Sequence, residues 1–187
     1  QKGIDQKAYP GAQVWFAKDG IVVINKAYGH HTYQAERPVQ KGDIYDIASI
    51  TKISSSVAAL MRLTDEEKFH LDDNLCDYLS DMVDTTAYMN MNLREMLAHQ
   101  AGLTPFIPFY AKTLTKGVPR YDVYSLAQSE IYPTRVAREI YIKKDYRKEI
   151  YSEILNHKIS SKKKYKYSDV GYYFTQEIVA PVHISKI

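Results

Sequence analysis

Ser49 and Lys52 stand three residues apart in the run Asp46-Ile47-Ala48-Ser49-Ile50-Thr51-Lys52-Ile53. A serine hydroxyl is a weak nucleophile at neutral pH and needs a base or an electrostatic neighbour to attack a carbonyl. A lysine in a partly buried site supplies one or the other: it can release its proton, or its charge can lower the cost of an alkoxide. On a helix, residues three apart share a face and lie ~4.5 Å apart along the axis. The spacing therefore predicts a nucleophile with its activator one turn above it, and Ser56 continues the same stripe. Two such residues on a solvated helix start would do no chemistry, so the surrounding elements decide the matter.

A buried helix is predicted from about Ser49 to about Thr64, because Ile50, Ile53, Val57, Leu60 and Met61 recur with helical period. Asp65-Glu66-Glu67-Lys68 breaks it. Upstream, residues 1–8 read as a helix end or an extended lead-in. Tyr9-Pro10-Gly11-Ala12 then opens a strand over 13–17, and Lys18-Asp19-Gly20 turns the chain back into a partner strand over 21–25. Asp-Gly tolerates the positive φ that tight hairpin turns need. Polar residues 30–43 form a loop. Downstream, Leu71-Asp72-Asp73-Asn74-Leu75 is read as the start of a short helix capped by Asp72 or Asp73. Residues 92–99 form another helix, with Asn92 as its cap and Gly102 ending its exit turn. Prolines 105, 108, 119 and 133 loosen the next stretch, where helical segments are predicted near 122–131, 134–143 and 145–156. A last apolar helix follows Tyr167-Ser168-Asp169-Val170-Gly171-Tyr172-Tyr173 and is expected to end at Pro181.

Of 187 residues, 45% are hydrophobic and 25% charged, which supports a folded core and excludes a disordered chain. A net charge of +3 does not by itself imply nucleic acid. The dense basic run Lys162-Lys163-Lys164-Tyr165-Lys166 reads as a solvated loop, and no nucleic-acid partner is expected. Cys76, the single cysteine, excludes an internal disulfide and reads as a small buried hydrophobe. No run approaches membrane-spanning length. No signal peptide is visible and Gln1 is not an initiator, so a preceding segment is expected to have been removed. The histidines other than His99 show no ligand spacing, and neither a metal nor another cofactor is expected.

Taken in order, the segments resemble the serine beta-lactamase and penicillin-binding-protein superfamily, closest to its class C beta-lactamase and esterase-like branch. Pro10-Gly11-Ala12 with Asp19-Gly20 looks like the family's first hairpin, and Ile47-Ala48-Ser49-Ile50-Thr51-Lys52 is similar to its nucleophile motif. Leu71-Asp72-Asp73 resembles the segment after the nucleophile helix. Leu97-Ala98-His99-Gln100-Ala101-Gly102-Leu103 is similar to Leu-x-His-x-x-Gly-Leu. Tyr167-Ser168-Asp169 followed by Gly171-Tyr172 resembles the second motif, Tyr-x-Asn. The resemblance implies an α+β fold of the beta-lactamase/transpeptidase type, an antiparallel sheet with a helical subdomain. This sequence would supply only the sheet's first hairpin. Its parts would be a lead-in and hairpin over 1–48, the nucleophile helix and its followers over 49–104, a helical subdomain or lid over 105–166, and the second-motif segment over 167–187. It also implies the chemistry: acyl transfer on an amide or ester through an acyl-enzyme. Ser49 would be the nucleophile, Lys52 its activator, Tyr167 the general base or proton shuttle, and Asp169 a substrate-binding position. His99 would support the turn at Gly102. The implied substrates are a beta-lactam, a D-alanyl peptide or an ester, and the implied location is periplasmic or extracellular.

Two departures stand out. Asp169 occupies a position where many relatives have Asn, and an ionised carboxylate accepts but does not donate. It can hold Lys52 through a charged pair but cannot donate to a substrate carbonyl. A Ser-Asp-Asn reading would select Ser168 instead; Gly171-Tyr172 favours Tyr167. Secondly, no Lys- or His-Thr/Ser-Gly follows Tyr167, and Thr115-Lys116-Gly117 has another order and precedes it. The sequence would thus be the first half to three-fifths of a domain, lacking one oxyanion donor worth ~3–4 kcal/mol of transition-state stabilisation. A lone hairpin is marginal in water and its edge is open to other chains. Weak or absent turnover, self-association through that edge or pairing with a complementary fragment is therefore expected. The rival expectation is a non-catalytic binding domain on the same fold.

Overall fold

In a computed structural model of the chain, residues 1–184 are described. They fall into two compact units, residues 1–48 and the residues from Ser49 onward.

In the first unit, Asp19 and Gly20 take positive φ of 51° and 78°, and that turn joins β1 (Gly11–Lys18) to β2 (Ile21–Gly29). The strands run antiparallel with Gly11 opposite Gly29 and Phe16 opposite Ile24, and a bulge falls between Phe16 and Ala17. Both are longer than the alternation suggested, because the pairing continues through the polar stretch Asn25-Lys26. A four-residue helix α1 (Lys2–Asp5) precedes them. The loop at 30–43 is pinned by Asp43, whose carboxylate accepts from Gln40 N at 2.7 Å and pairs with His31 at 2.7 Å and Arg37 at 3.0 Å.

The second unit begins with a helix of unexpected pitch. Residues 52–57 form a π-helix, followed by α2 (Ala58–Asp65). The reason is local. Ser54 Oγ donates to Ile50 O at 3.0 Å and Ser55 Oγ to Thr51 O at 2.8 Å. Serine hydroxyls that take the carbonyl four residues back compete with the backbone N–H groups for it, and the ladder widens. The predicted burial holds only at the far end: Leu60 and Leu63 are buried, whereas Ile50, Ile53 and Met61 are 57–64% exposed.

Further on, α3 is Cys76–Val83, so the helix starts later than Asp72 or Asp73 allowed. Neither aspartate caps it. Asp72 accepts a two-pronged hydrogen bond from Arg94 at 2.6 and 2.9 Å, and Asp73 accepts from Tyr78 OH at 2.7 Å. Asn92 does cap α4 (Leu93–Leu97), its side chain accepting from Glu95 N. The exit turn uses two left-handed residues: His99, with φ 59°, directly after the helix, and Gly102, with φ 77°, three residues later. Gln100 N bonds Glu95 O at 2.7 Å and His99 N bonds Met96 O at 3.1 Å, the paired bonds of a Schellman cap.

The stretch read as three helical segments contains one. A 3₁₀ turn at Phe109–Thr113 leads to a two-stranded pair, β3 (Leu114–Thr115) and β4 (Val118–Pro119). Then β5 (Tyr124–Ser125), β6 (Thr134–Ala137) and β7 (Ile140–Ile142) form a sheet in the order β5-β7-β6. Arg138 and Glu139 favour helix by propensity, but β-branched Thr134, Val136, Ile140 and Ile142 flank them, and Glu139 at φ 55° reverses the chain. Only α5 (Tyr146–Asn156) remains helical. The final helix, α6 (Val170–Ile184), continues past Pro181 rather than stopping there. Proline removes one donor without necessarily ending a helix.

One core joins these pieces. Leu60, Leu63, Phe69, Leu75, Val83, Leu93, Met96, Ile154, Val170 and Phe174 belong to a single buried cluster. Tyr88 crosses it, and its OH donates to Ile154 O at 2.7 Å; burial pushes its phenol up to about 12. Gly171 is where α6 meets α4: a Cβ there would stand 2.8 Å from Met96 Cγ.

Candidate active site

The second unit contains all four predicted site residues. Ser49 lies at the entrance to the π-helix and is exposed. Lys52 N bonds Ser49 O at 3.0 Å, closing the turn that sets their relation. Across that turn, Lys52 Nζ donates to Ser49 Oγ at 3.1 Å. Nucleophile and cation are in hydrogen-bond contact although the backbone between them is not the regular helix the spacing implied.

Tyr167 and Asp169 arrive from the segment before α6, which several hydrogen bonds anchor. Ser168, 3% exposed, donates its hydroxyl to Thr104 O at 2.6 Å and accepts from Val170 N at 3.1 Å. Asp169 N bonds Pro105 O at 2.9 Å. With Ser168 occupied in this way, its neighbours on either side reach Lys52. Lys52 Nζ is 2.6 Å from Asp169 Oδ1 and 5.3 Å from the ring centroids of both Tyr167 and Tyr172. Lys52 and Asp169 thus form an ion pair at a buried carboxylate oxygen.

The charges act on one another. Partial burial works against the Lys52 ammonium, but hydrogen bonding and charge from Asp169 and Tyr167 outweigh it, and its pKa lies above the ordinary lysine value. Hydrogen bonds from Ser49 and then Lys52 favour the Tyr167 phenolate and hold its pKa below that of an ordinary tyrosine. The site thus contains a hydroxyl, a persistent cation and a phenol biased toward ionisation.

His99 is the residue whose part was underestimated. Its Nδ1 accepts from Ser168 N at 3.2 Å and its carbonyl accepts from Lys166 N at 2.8 Å, so it holds the backbone on both sides of Tyr167. Its ring centroid is 4.5 Å from that of Tyr167. Burial, followed by the charge of Lys52, lowers its pKa, which keeps Nδ1 free to accept. The Leu-x-His-x-x-Gly spacing marked His99 as a turn residue, but nothing in it pointed toward Tyr167. Thr115-Lys116-Gly117, the sequence nearest in composition to a third motif, is the turn between β3 and β4, with φ 52° at Lys116 and 80° at Gly117.

A cavity of about 860 Å³ along α5 includes none of these four residues, and two of its ion pairs, Lys112–Glu153 and Arg120–Asp122, lie within its own wall. Chemistry is located by the reacting groups, not by volume. Among the described residues, no three His, Cys, Asp or Glu side chains are grouped to hold a metal, and no helix is long and apolar enough to cross a membrane.

Comparison with known proteins gives the same architecture. A solved class C beta-lactamase in complex with cefoxitin superposes with a TM-score of 0.62 at 16% identity, over 95% of this chain and 41% of that one. The octameric penicillin-binding protein homologue from Pyrococcus abyssi does so with a TM-score of 0.60 at 22% identity, over 97% and 37%. These likenesses show a mixed α+β fold of the beta-lactamase/transpeptidase type, present in part. In sequence, the chain is 30% identical over 121 residues to a protein of Escherichia coli O157:H7 named "Putative D-alanyl-D-alanine carboxypeptidase", covering 58% of this chain and 28% of that protein. The chain therefore spans well under half the length of these relatives. The beta-lactamase family profile matches residues 1–183, and the chain belongs to the beta-lactamase family.

Proposed function

We propose that this chain carries the nucleophile and proton-transfer residues of a serine acyl-transfer site. The observation that carries the reading is the position of one cation: Lys52 Nζ lies 3.1 Å from Ser49 Oγ, 2.6 Å from Asp169 Oδ1 and 5.3 Å from the Tyr167 ring centroid. Ser49 Oγ attacks an amide or ester carbonyl and its proton passes to the Tyr167 phenolate. Lys52 remains an ammonium, offsets the negative charge on Ser49 and the phenolate, and is itself balanced by Asp169. Tyr167 then protonates the leaving amine or alcohol, and an ester joins the acyl group to Ser49. Water, deprotonated by Tyr167, releases it. The relative's name supports a D-alanyl peptide as substrate, with beta-lactams and simple esters as further acyl donors. Turnover by this chain alone is weak, because one oxyanion donor of the family's third motif is absent from the sequence.

The test is mass spectrometry of the chain treated with a labelled penicillin or a fluorophosphonate, with Ser49→Ala as control. An adduct on the Ser49 peptide that disappears in Ser49→Ala is expected; equal labelling of both proteins would sink the assignment. Asp169, which accepts but cannot donate to a substrate carbonyl, favours a second reading, a non-catalytic binding domain on the same fold. Saturable penicillin binding with no covalent adduct would select it.

A further inference from the structure

Lys158, Lys162, Lys164 and Lys166 line one cavity of about 370 Å³, together with Ser160 and Tyr165. Gly102 and Leu103, both buried, also line it, and Ser160 N bonds Gly102 O at 2.9 Å. No carboxylate lines the cavity. None of the four lysines has an ion-pair partner among the described residues. Lys163, in the middle of the run, behaves differently: it is not part of the lining, and its Nζ pairs with Glu95 at 2.6 Å.

A basic surface loop ordinarily disperses its ammonium groups into water or pairs them with nearby acids. Here four lysines line one concavity and none of them is paired, while Lys163, which has an available acid, lies outside it. Unpaired positive charge gathered at a concave surface raises the local potential and attracts an anion to it. Lysine binds phosphate as a point charge, and hydroxyl groups such as that of Ser160 accommodate the remaining oxygens. A cavity of about 370 Å³ is at the lower end of small-ligand sites. We infer that this cavity binds a multiply charged anion of the phosphate class, carried either on a small molecule or on a lipid headgroup. The inference does not rest on the acyl-transfer reading, since none of Ser49, Lys52, Tyr167 or Asp169 lines the cavity.

The probe is inorganic pyrophosphate, titrated into the 187-residue chain by calorimetry at low ionic strength. Saturable one-to-one binding is expected, weakened about tenfold or more in the double variant Lys162→Gln/Lys164→Gln, as loss of two charge-assisted contacts predicts. Lys163→Gln removes the same kind of charge outside the cavity and should leave binding near the wild-type value. Circular dichroism of each variant establishes that the fold is intact. Phosphatidylglycerol vesicles that compete with pyrophosphate would assign the phosphate to a lipid headgroup; vesicles without effect would assign it to a free anion. No saturable binding would overturn the inference. So would an equal loss in Lys163→Gln, which would show a response to net charge alone. Retention of a single-stranded oligonucleotide that pyrophosphate does not displace would also overturn it, in favour of an extended basic surface.

Discussion

The two units place similar side chains in opposite environments. In residues 1–48, Val14, Trp15, Phe16, Val22 and Val23 are 41–65% exposed, and Val39 is the one buried hydrophobic residue. From Ser49 onward, Leu75, Leu93, Ile154 and Phe174 are all at 0%. The hairpin forms because a two-residue turn and a ladder of backbone bonds are local devices. They specify that two strands pair, not what the pair packs against. The helical unit forms because segments far apart in sequence bury one another, and that is where Ser49, Lys52, Tyr167 and Asp169 meet. Positions of charged groups are fixed to fractions of an ångström only where the surrounding packing is dense.

The largest effect should therefore fall in the helical unit. Phe174 touches the rings of both Tyr88 and Tyr151, with centroids 5.6 and 6.2 Å away. Phe174→Ala should cost ~3–5 kcal/mol, a large share of a typical domain's stability. The urea midpoint checks this. Native-state hydrogen exchange should also show α6 amides protected to the global limit and hairpin amides exchanging well below it. Equal protection in the two units would erase the contrast.

The same contrast explains what the sequence could reveal. Asp19-Gly20, the cap at Asn92 and the helix near 145–156 were legible because each rests on neighbours in the chain. The Ser49–Lys52 contact was legible because three residues of helical backbone of nearly any pitch bring those side chains together. Other features were hidden where a nearby group outweighed propensity. Ser54 and Ser55 took carbonyls from the helix ladder, Arg94 claimed Asp72, and β-branched flanks overrode the helical bias of Arg138-Glu139. The burial of Ile50 and Ile53 was misjudged because period identifies an apolar face without supplying the surface that covers it.

Next in size are the site residues. If Lys52 and Tyr167 act as proposed, Lys52→Met and Tyr167→Phe should each slow acylation by ~10²-fold. Neither side chain belongs to the buried cluster, so unfolding midpoints should stay near wild type. Acylation at the wild-type rate in both variants would show that the contacts serve structure alone.

A directional effect is expected from Asp169. Acylation should rise with pH as Tyr167 ionises, along a limb lying below the ordinary tyrosine value because Ser49 and Lys52 favour the phenolate. The Asp169 carboxylate opposes that by its charge and also balances Lys52. Asp169→Asn removes the negative charge, leaves Lys52 less compensated and makes the phenolate easier to form. The alkaline limb should then move to lower pH, and acylation at neutral pH should increase. A pH–rate profile of wild type and variant reads this directly; movement of the limb to higher pH would show that Asp169 does not face the titrating group.

The smallest effect belongs to the hairpin. Trp15 is 65% exposed and Val23 61%, so Trp15→Ser and Val23→Thr remove little apolar contact within the chain. Each should change stability by no more than ~0.5 kcal/mol, the range of ordinary surface substitutions. Such indifference holds only while water covers these side chains. An open two-stranded edge with apolar residues on both faces is also a surface that another strand can join, a second copy of this chain included. If copies pair in that way, Trp15 becomes a buried contact, and its removal should cost ~2 kcal/mol or more at concentrations where the paired form prevails. Thermal unfolding of wild type and Trp15→Ser across a range of protein concentrations, with sedimentation at the same concentrations, separates the cases. A small, concentration-independent change with a monomer throughout keeps the hairpin as exposed as the structure shows it. A larger change that grows with concentration would mean that the difference between the two units disappears once the chain associates.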